Sequence, residues 1–352
     1  MDSYDVVIAG LGPVGAVLAL RLERAGLSVL VVERSADVFA LPRAIAADDE
    51  VQELLARLGP SLVEPMLHDQ PVRFVSAGRL LGEIRFPWRN GFCGLAFFHQ
   101  PSLEVALRSM LRCEVRLGVA VTGLRQDHAG VTVSLGSSSL GHAEVRATWL
   151  VGCDGASSTV RQLAGIPWLG RDLPQRWRVI DAIGAYRQGF TYTCDPAMPA
   201  VDMPMPGGHR WEFLLRPGAV APEVPLEVVR SVDYRFGARR AGAWQRGRVL
   251  LAGDAAHTMP PFAGQGLGAG LRDAWALGAL LPAGRVAEYE PLRAPHVREM
   301  TRLSLFVGTV LQARRGTAVR DALLAGAFRG PALGPWLGRG GPRRPSSGVL
   351  DL

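Results

Sequence analysis

Val6-Val7-Ile8-Ala9-Gly10-Leu11-Gly12-Pro13-Val14-Gly15 is the stretch on which the fold turns. Its unbroken apolar start predicts a short buried strand, and the run behind the glycines has helical spacing to about Ala25. Gly26 ends that helix. Ser28-Val29-Leu30-Val31-Val32 then predicts a second buried strand, closed by Glu33. Strand, helix and strand make a βαβ unit, and near-continuous apolar strands imply a parallel sheet covered on both faces. In Gly10-x-Gly12-x-x-Gly15 the first glycine allows a tight turn and the second lets backbone approach a pyrophosphate. The third lets the helix pack closely on the strand. The helix N-terminus offers free N–H groups and the positive end of its dipole to phosphates. Glu33 is placed to hydrogen-bond ribose hydroxyls and disfavours a 2′-phosphate, which leaves FAD or NAD rather than NADP.

A second junction of the same kind decides between those two. Arg248-Val249-Leu250-Leu251-Ala252-Gly253-Asp254-Ala255-Ala256-His257 and the glycine-rich Gly264-Gln265-Gly266 predict strand, loop and helix. A carboxylate at the strand end, Asp254, suits a ribitol hydroxyl, and loop N–H groups suit a flavin edge. An NAD enzyme has no use for two such elements at opposite ends of the chain, whereas FAD does.

Between and beyond these junctions the pattern changes repeatedly. Residues 48 to 66 read as helix, 71 to 99 as antiparallel sheet with turns at Gly78 and Asn90-Gly91, and Pro101 to Leu111 as helix. Strands are expected at 119–124, 131–135, 145–151 and 249–252, a proline-rich strand region at 174–236, and helices at 266–281 and 288–328. The expected fold class is α/β: an FAD-binding Rossmann-like βαβ domain (1–70, 100–170, 240–290) with an inserted, mostly antiparallel substrate-binding sheet (71–99, 171–239). A helical C-terminal segment (291–337) and a disordered, Gly/Pro/Arg/Ser-rich tail (338–352) complete it.

Composition narrows the function. The chain has 352 residues, 48% hydrophobic and 20% charged, enough for a core without disulfide or metal staples. The net charge is +7, but all 39 basic residues are Arg, scattered rather than blocked, so no nucleic-acid partner is expected. Cys93, Cys113, Cys153 and Cys194 are too sparse for a disulfide framework or a CxxC metal site, which points to a reducing cytoplasm and no metal. The uncharged run from Val6 to Leu20 follows acidic residues and is too short to span a bilayer, so neither a signal peptide nor a membrane segment is expected.

Three motifs in order carry a resemblance: the glycine triplet, then Cys153-Asp154-Gly155-Ala156-Ser157-Ser158-Thr159-Val160-Arg161, then Gly253-Asp254-Ala255-Ala256-His257. Over about residues 4 to 310 the chain resembles the single-component FAD-dependent aromatic hydroxylases, class A flavoprotein monooxygenases with the p-hydroxybenzoate hydroxylase fold. Pro42-Arg43-Ala44-Ile45, Cys194-Asp195-Pro196 and Arg210-Trp211-Glu212-Phe213 look most like the 3-(3-hydroxyphenyl)propanoate hydroxylase branch. The resemblance implies that Gly10, Gly12, Pro13, Val14 and Gly15 meet the FAD pyrophosphate and Glu33 the adenosine ribose. It puts Arg34 beside the adenine, Arg43 near the pyrophosphate or flavin, Gln100 at the ribitol and Val121 at the adenine. Asp254 would bind the ribitol, and Gly264, Gly266, Leu267 and Gly268 would line the isoalloxazine. Asp154 and Arg161 fit either a contact to FAD and the nicotinamide donor or a salt bridge between turn and helix.

The implied reaction is hydroxylation of a phenolic ring by O2 and NADH or NADPH through a flavin C4a-hydroperoxide. His99, Tyr192, His209 and Tyr234 are titratable candidates facing the substrate, Pro260 shapes the wall beside the flavin, and no catalytic base is named. A monomer or homodimer is expected. A halogenase of this fold relies on a Lys, which this chain lacks. An epoxidase or reductase acting on an isoprenoid, or an inactive FAD-binding partner protein, are the competing readings. Two departures from the family pattern bear on them. Gly268 stands where an Asn is usual, which loosens the loop, and the chain between Asp154 and Asp254 is shorter than usual, with no thioredoxin-like C-terminal domain.

Overall fold

Val6, Val7 and Ile8 are wholly buried because strand Ser3–Ala9 runs in the middle of a sheet, parallel to Val29–Glu33 on one side and Gly141–Gly152 on the other. The computed structural model describes residues 1–137, 141–329 and 349–352. Glu114–Leu117 extends the parallel part beyond Val29–Glu33, and Val249–Leu251 pairs in parallel with the end of Gly141–Gly152. Ala120–Gln126, Val131–Ser137 and the short Gln245–Arg246 complete the sheet in antiparallel register. The two glycine-rich junctions, far apart in sequence, thus follow the C-terminal ends of strands that run in the same direction in one sheet.

Helix α1 (Pro13–Arg24) follows Gly12 directly and ends before Gly26, whose φ of +83° favours glycine. Helix α2 (Asp49–Leu58) is capped by Asp48, which accepts from Val51 N at 2.9 Å. It stops well short of the expected residue 66. Gly59 is extended and Pro60 lacks an N–H, so the chain continues as a 3-10 turn, Pro60–Leu62. Helices α3 (Gln100–Ser109), α4 (Thr159–Leu163), α5 (Gly266–Leu280), α6 (Tyr289–Leu311) and α7 (Thr317–Arg329) follow, with α5 laid against α1.

The second sheet has eight strands, led by the long antiparallel pair Trp168–Ile183 and Glu227–Ala241. Gly208–Leu215, Ala200–Met205 and Phe190–Thr193 continue it, and Phe190–Thr193 pairs in parallel with Val72–Ser76. Of residues 71–99, only the hairpin Val72–Ser76 and Arg79–Ile84 enters this sheet. The Asn90-Gly91 turn closes a separate two-residue ladder, with both residues at positive φ as a tight hairpin requires.

One face of the second sheet buries Trp177, Val201, Met203, Met205 and Leu214 against Ile45, Phe97 and Phe262, which come from the first sheet's loops. The other buries Ile180, Trp211, Phe213 and Leu215 in a smaller cluster. The tail departs from expectation where it is described: Val349–Asp351 forms a 3-10 turn, Val349 is buried in the first core, and Arg57 donates to Leu350 O at 2.7 Å. Val349 and Leu350 give that end an apolar anchor. Residues 338–348 lie outside the described residues.

Candidate cofactor and substrate site

The three glycines of the first junction have three different surroundings. A Cβ on Gly10, at φ +103°, would lie 2.4 Å from Cys153 O, and one on Gly15 would lie 2.0 Å from Gly10 O. Those two positions let strand, helix and neighbouring strand close on one another. Gly12 is the exception, because a Cβ there would meet nothing within 4 Å. It opens into a cleft shared with Gly10, Pro13, Glu33 and Arg34, which Arg43, Gln100, Val121 and Asp154 close from other elements. Helix α1 has no side-chain cap, so its first-turn N–H groups remain available to a ligand, whereas α2 and α4 are capped by Asp48 and Ser158.

Glu33 does more than face the cleft. Its carboxylate accepts from Leu11 N at 2.8 Å and Ser35 N at 2.9 Å, so it also fixes the glycine turn. Asp154 accepts from Ser158 Oγ at 2.5 Å and Val160 N at 3.0 Å. Arg161 does not pair with it. That guanidinium is buried, donating to Ala255 O at 2.9 Å and Ala156 O at 2.8 Å over the Trp168 ring, so it joins the Asp154 turn to the Asp254 turn.

Sequence reasoning missed the rest of α3. Gln100 Nε2 donates to Glu104 Oε1 at 2.7 Å, Arg108 stands 3.8 Å from Glu104, and both residues line the cleft. Burial raises the Glu104 carboxyl above its usual range. The spacing Gln100, Glu104, Arg108 on one helical face was the signal that could have found them.

At the second junction Asp254 points outward and accepts no hydrogen bond among the described residues. Surrounding protein raises its carboxyl, while the charges of His257 and Arg43 pull the other way. The turn beneath it is held by Asp273, which accepts from Gly253 N at 3.2 Å and lies 2.6 Å from His257 Nε2 and 3.0 Å from Arg293 Nε. Helix α5 likewise starts without a side-chain cap, and a Cβ on Gly266 would meet nothing within 4 Å. Gly264 takes φ +63° in the loop before it, and Leu267 packs on the first core. Val14 wedges under Gly253 and Gly270, so Val14 and Gly15 stand behind the cleft rather than in its wall.

Gly268 is accounted for by its neighbours. A Cβ there would lie 2.8 Å from Arg272 Nη1 and 3.1 Å from Val51 Cγ2, so the guanidinium of Arg272 occupies the room a larger residue would need. Arg272 ties this helix to Asp48 at 2.8 Å and Glu50 at 2.6 Å and reaches Gln265 Oε1 at 3.5 Å. The loosening expected of Gly268 is offset by that network.

The substrate candidates separate. Tyr192 donates to Phe262 O at 2.6 Å, stacks on Phe74 and lies on the sheet face packed against Phe262, in the loop of the second junction; burial pushes its phenol up. Pro260 is buried, its carbonyl accepting from Ser304 Oγ. His99 precedes α3 and holds Ser102 Oγ at 2.8 Å. Tyr234 stands opposite Trp177 across the long strand pair, on the same face as Trp177, and takes a hydrogen bond from Arg230. His209 is not with them: it sits against Trp211 on the opposite face, 3.2 Å from Asp202. Glu212, which had no assigned role, is buried with Arg210 Nη1 at 3.9 Å, and burial raises its carboxyl.

The donor set fits an FAD: the uncapped N-termini of α1 and α5, an open Gly12 in one cleft with Glu33 and Asp154, and Asp254 without a hydrogen-bond partner among the described residues. Comparison with known proteins agrees. The FAD binding domain family matches residues 3–196 and 214–304. A 3-(3-hydroxy-phenyl)propionate/3-hydroxycinnamic acid hydroxylase of Burkholderia vietnamiensis is 34% identical over 368 residues, covering 94% of this chain and 67% of that protein. The chain spans about two thirds of the length of the curated relatives it matches. Among solved structures, aklavinone-11 hydroxylase in complex with FAD and aklavinone is 28% identical with a TM-score of 0.77, over 90% of this chain and 70% of that one. p-Nitrophenol 4-monooxygenase from Pseudomonas putida DLL-E4 shares the fold at a TM-score of 0.88 and 24% identity, over 100% and 98% of the two chains.

Proposed function

The chain belongs to the family of FAD-dependent aromatic hydroxylases, and from that membership we propose that it adds one oxygen atom from O2 to a phenolic ring, with NADH or NADPH as reductant. The observation that carries this reading is that the uncapped N-termini of α1 and α5 and Asp254, which accepts no hydrogen bond among the described residues, all follow strands that run parallel in the first sheet. Bound FAD supplies the redox chemistry, taking electrons from the nicotinamide donor and activating O2. The chain's own residues bind, orient and exclude water. The first turn of α1 and Gly12 receive the pyrophosphate, Glu33 the ribose and Asp254 the ribitol, with the α5 N-terminus at the electron-accepting end. The ring of the substrate sits toward the second sheet's inner face, where Trp177, Phe262 and Tyr192 keep water out.

The named relatives are hydroxylases of 3-(3-hydroxyphenyl)propionate or 3-hydroxycinnamic acid and of aklavinone, and these compounds belong in the test. The four free cysteines support a cytoplasmic setting. NAD(P)H consumption is measured against a panel of phenols, from 3-(3-hydroxyphenyl)propionate to polycyclic phenols, with product mass recorded. Stimulated consumption with one added oxygen supports hydroxylation. An epoxide or reduced double bond supports the isoprenoid alternative, and unstimulated consumption with every phenol supports an inactive partner protein.

A further inference from the structure

Arg210 lies in the second sheet and does not line the cofactor cleft, yet its guanidinium is aimed at the loop that does. It holds Asp181 with both arms, Nε at 2.6 Å and Nη2 at 3.0 Å, and donates to Arg43 O at 2.9 Å and to Pro42 O. Arg230 adds a second arm, donating to Pro42 O at 2.8 Å and Asp181 Oδ2 at 3.3 Å. From the opposite side Gln100 Oε1 accepts from Arg43 N at 3.1 Å and Ala44 N at 2.7 Å. The backbone of Arg43 is therefore gripped at its N–H by a side chain of helix α3 and at its carbonyl by a side chain of the second sheet. Its own side chain enters the cleft, 5.0 Å over the Phe39 ring and within the field of Asp254.

Buried charges are a costly way to pin a loop, and the cost is recovered only where geometry is good and every partner is met. Asp181 is fully buried and Arg210 and Arg230 nearly so, in a sheet that backbone pairing already holds. What this triad adds is a fixed root for one cleft-lining cation. We propose that Arg210 is a positioning residue for the cofactor: it sets where Arg43 stands in the FAD cleft and so couples the substrate-side sheet to the flavin. The proposal rests on the FAD reading of the cleft.

A double-mutant cycle tests it, with apo-protein titrated with FAD and the midpoint potential of the bound flavin measured. Arg43→Met and Arg210→Met are each expected to weaken FAD binding about tenfold, and the double variant to be no more than about twofold weaker than Arg43→Met alone. Loss of a cation beside the flavin lowers its potential, so both single variants shift it downward and the double variant shifts it no further. Arg210→Lys keeps a charge at Asp181 but cannot span both carbonyls, so it folds and still lowers affinity. Losses that multiply in the double variant, or wild-type affinity and potential in Arg210→Lys, overturn the proposal. Wild-type protein that takes up no FAD overturns the functional reading itself, before any variant is compared.

Discussion

At the residue scale, Gly12 and Gly15 separate ligand binding from folding. Gly12→Ala adds a methyl into open cleft, so apo-protein stability is expected to change by less than about 1 kcal/mol while FAD affinity falls about tenfold or more. Gly15→Ala drives a Cβ into Gly10 O and is expected to lower stability by about 1–3 kcal/mol. Thermal melts and FAD titrations of both variants check this. Glu33→Gln is expected to weaken FAD binding by about 1–3 kcal/mol in the same titration. Because Glu33 also accepts from Leu11 N and Ser35 N, the variant's apo-protein should melt lower, which its position at a strand end alone did not suggest. His296 makes a pH prediction. Burial, with Arg293 and Arg272 nearby, lowers its pKa from 6.5 to about 3, so the unfolded chain binds the proton first. Stability is therefore lost as pH falls from 6.5 toward about 3, by at most about 1.4 kcal/mol per pH unit. His296→Gln should remove that part of the slope in denaturant unfolding at several pH values; parallel curves for the two proteins would contradict it. The glycines and Glu33 are legible in the sequence because turn, helix and strand end lie close along the chain. Arg161 is not, because its partners, Ala255 O and the Trp168 ring, are chosen by the fold.

At the element scale, the turn beneath Asp254 depends on a buried chain of charges rather than on the strand that leads into it. Asp273, on α5, holds Gly253 N, His257 and Arg293 together. Asp273→Asn leaves Arg293 without its counter-charge and is expected to cost about 3–5 kcal/mol in denaturant unfolding, the scale of a broken buried pair. A loss below about 1 kcal/mol would mean that the turn stands without the network. Helices α1 and α5 are legible because glycines precede them and apolar residues recur along them. Helix α2 is legible in existence but not in length, since Gly59-Pro60 interrupts a pattern that the apolar spacing alone would continue. The grip of Arg210 on Pro42 spans 168 residues, and no local pattern announces it. The two segments were quoted separately for their likeness to one branch of the family; the fold makes them a single contact.

At the scale of the whole molecule, two sheets meet across a layer built from Ile45, Phe97, Trp177 and Phe262, which puts the apolar face of one beside the cofactor junctions of the other. The parallel core of the first sheet is legible from near-continuous apolar strands. The division of the second sheet into an inner and an outer face is not, because its central strands, Ala200–Met205 and Gly208–Leu215, are buried on both faces and alternate little. That is why His209 could be grouped with Tyr192 by residue type although they lie on opposite faces. Among the described residues no helix is long and apolar enough to cross a membrane. The central claim is that this arrangement transfers one oxygen atom from O2 to a phenol. Turnover of a reactive phenol under isotope-labelled O2, with FAD-loaded protein and NAD(P)H, tests it most directly. One labelled oxygen in the product is the result the account predicts; a hydroxylated product without label, or label found only in hydrogen peroxide, would contradict it.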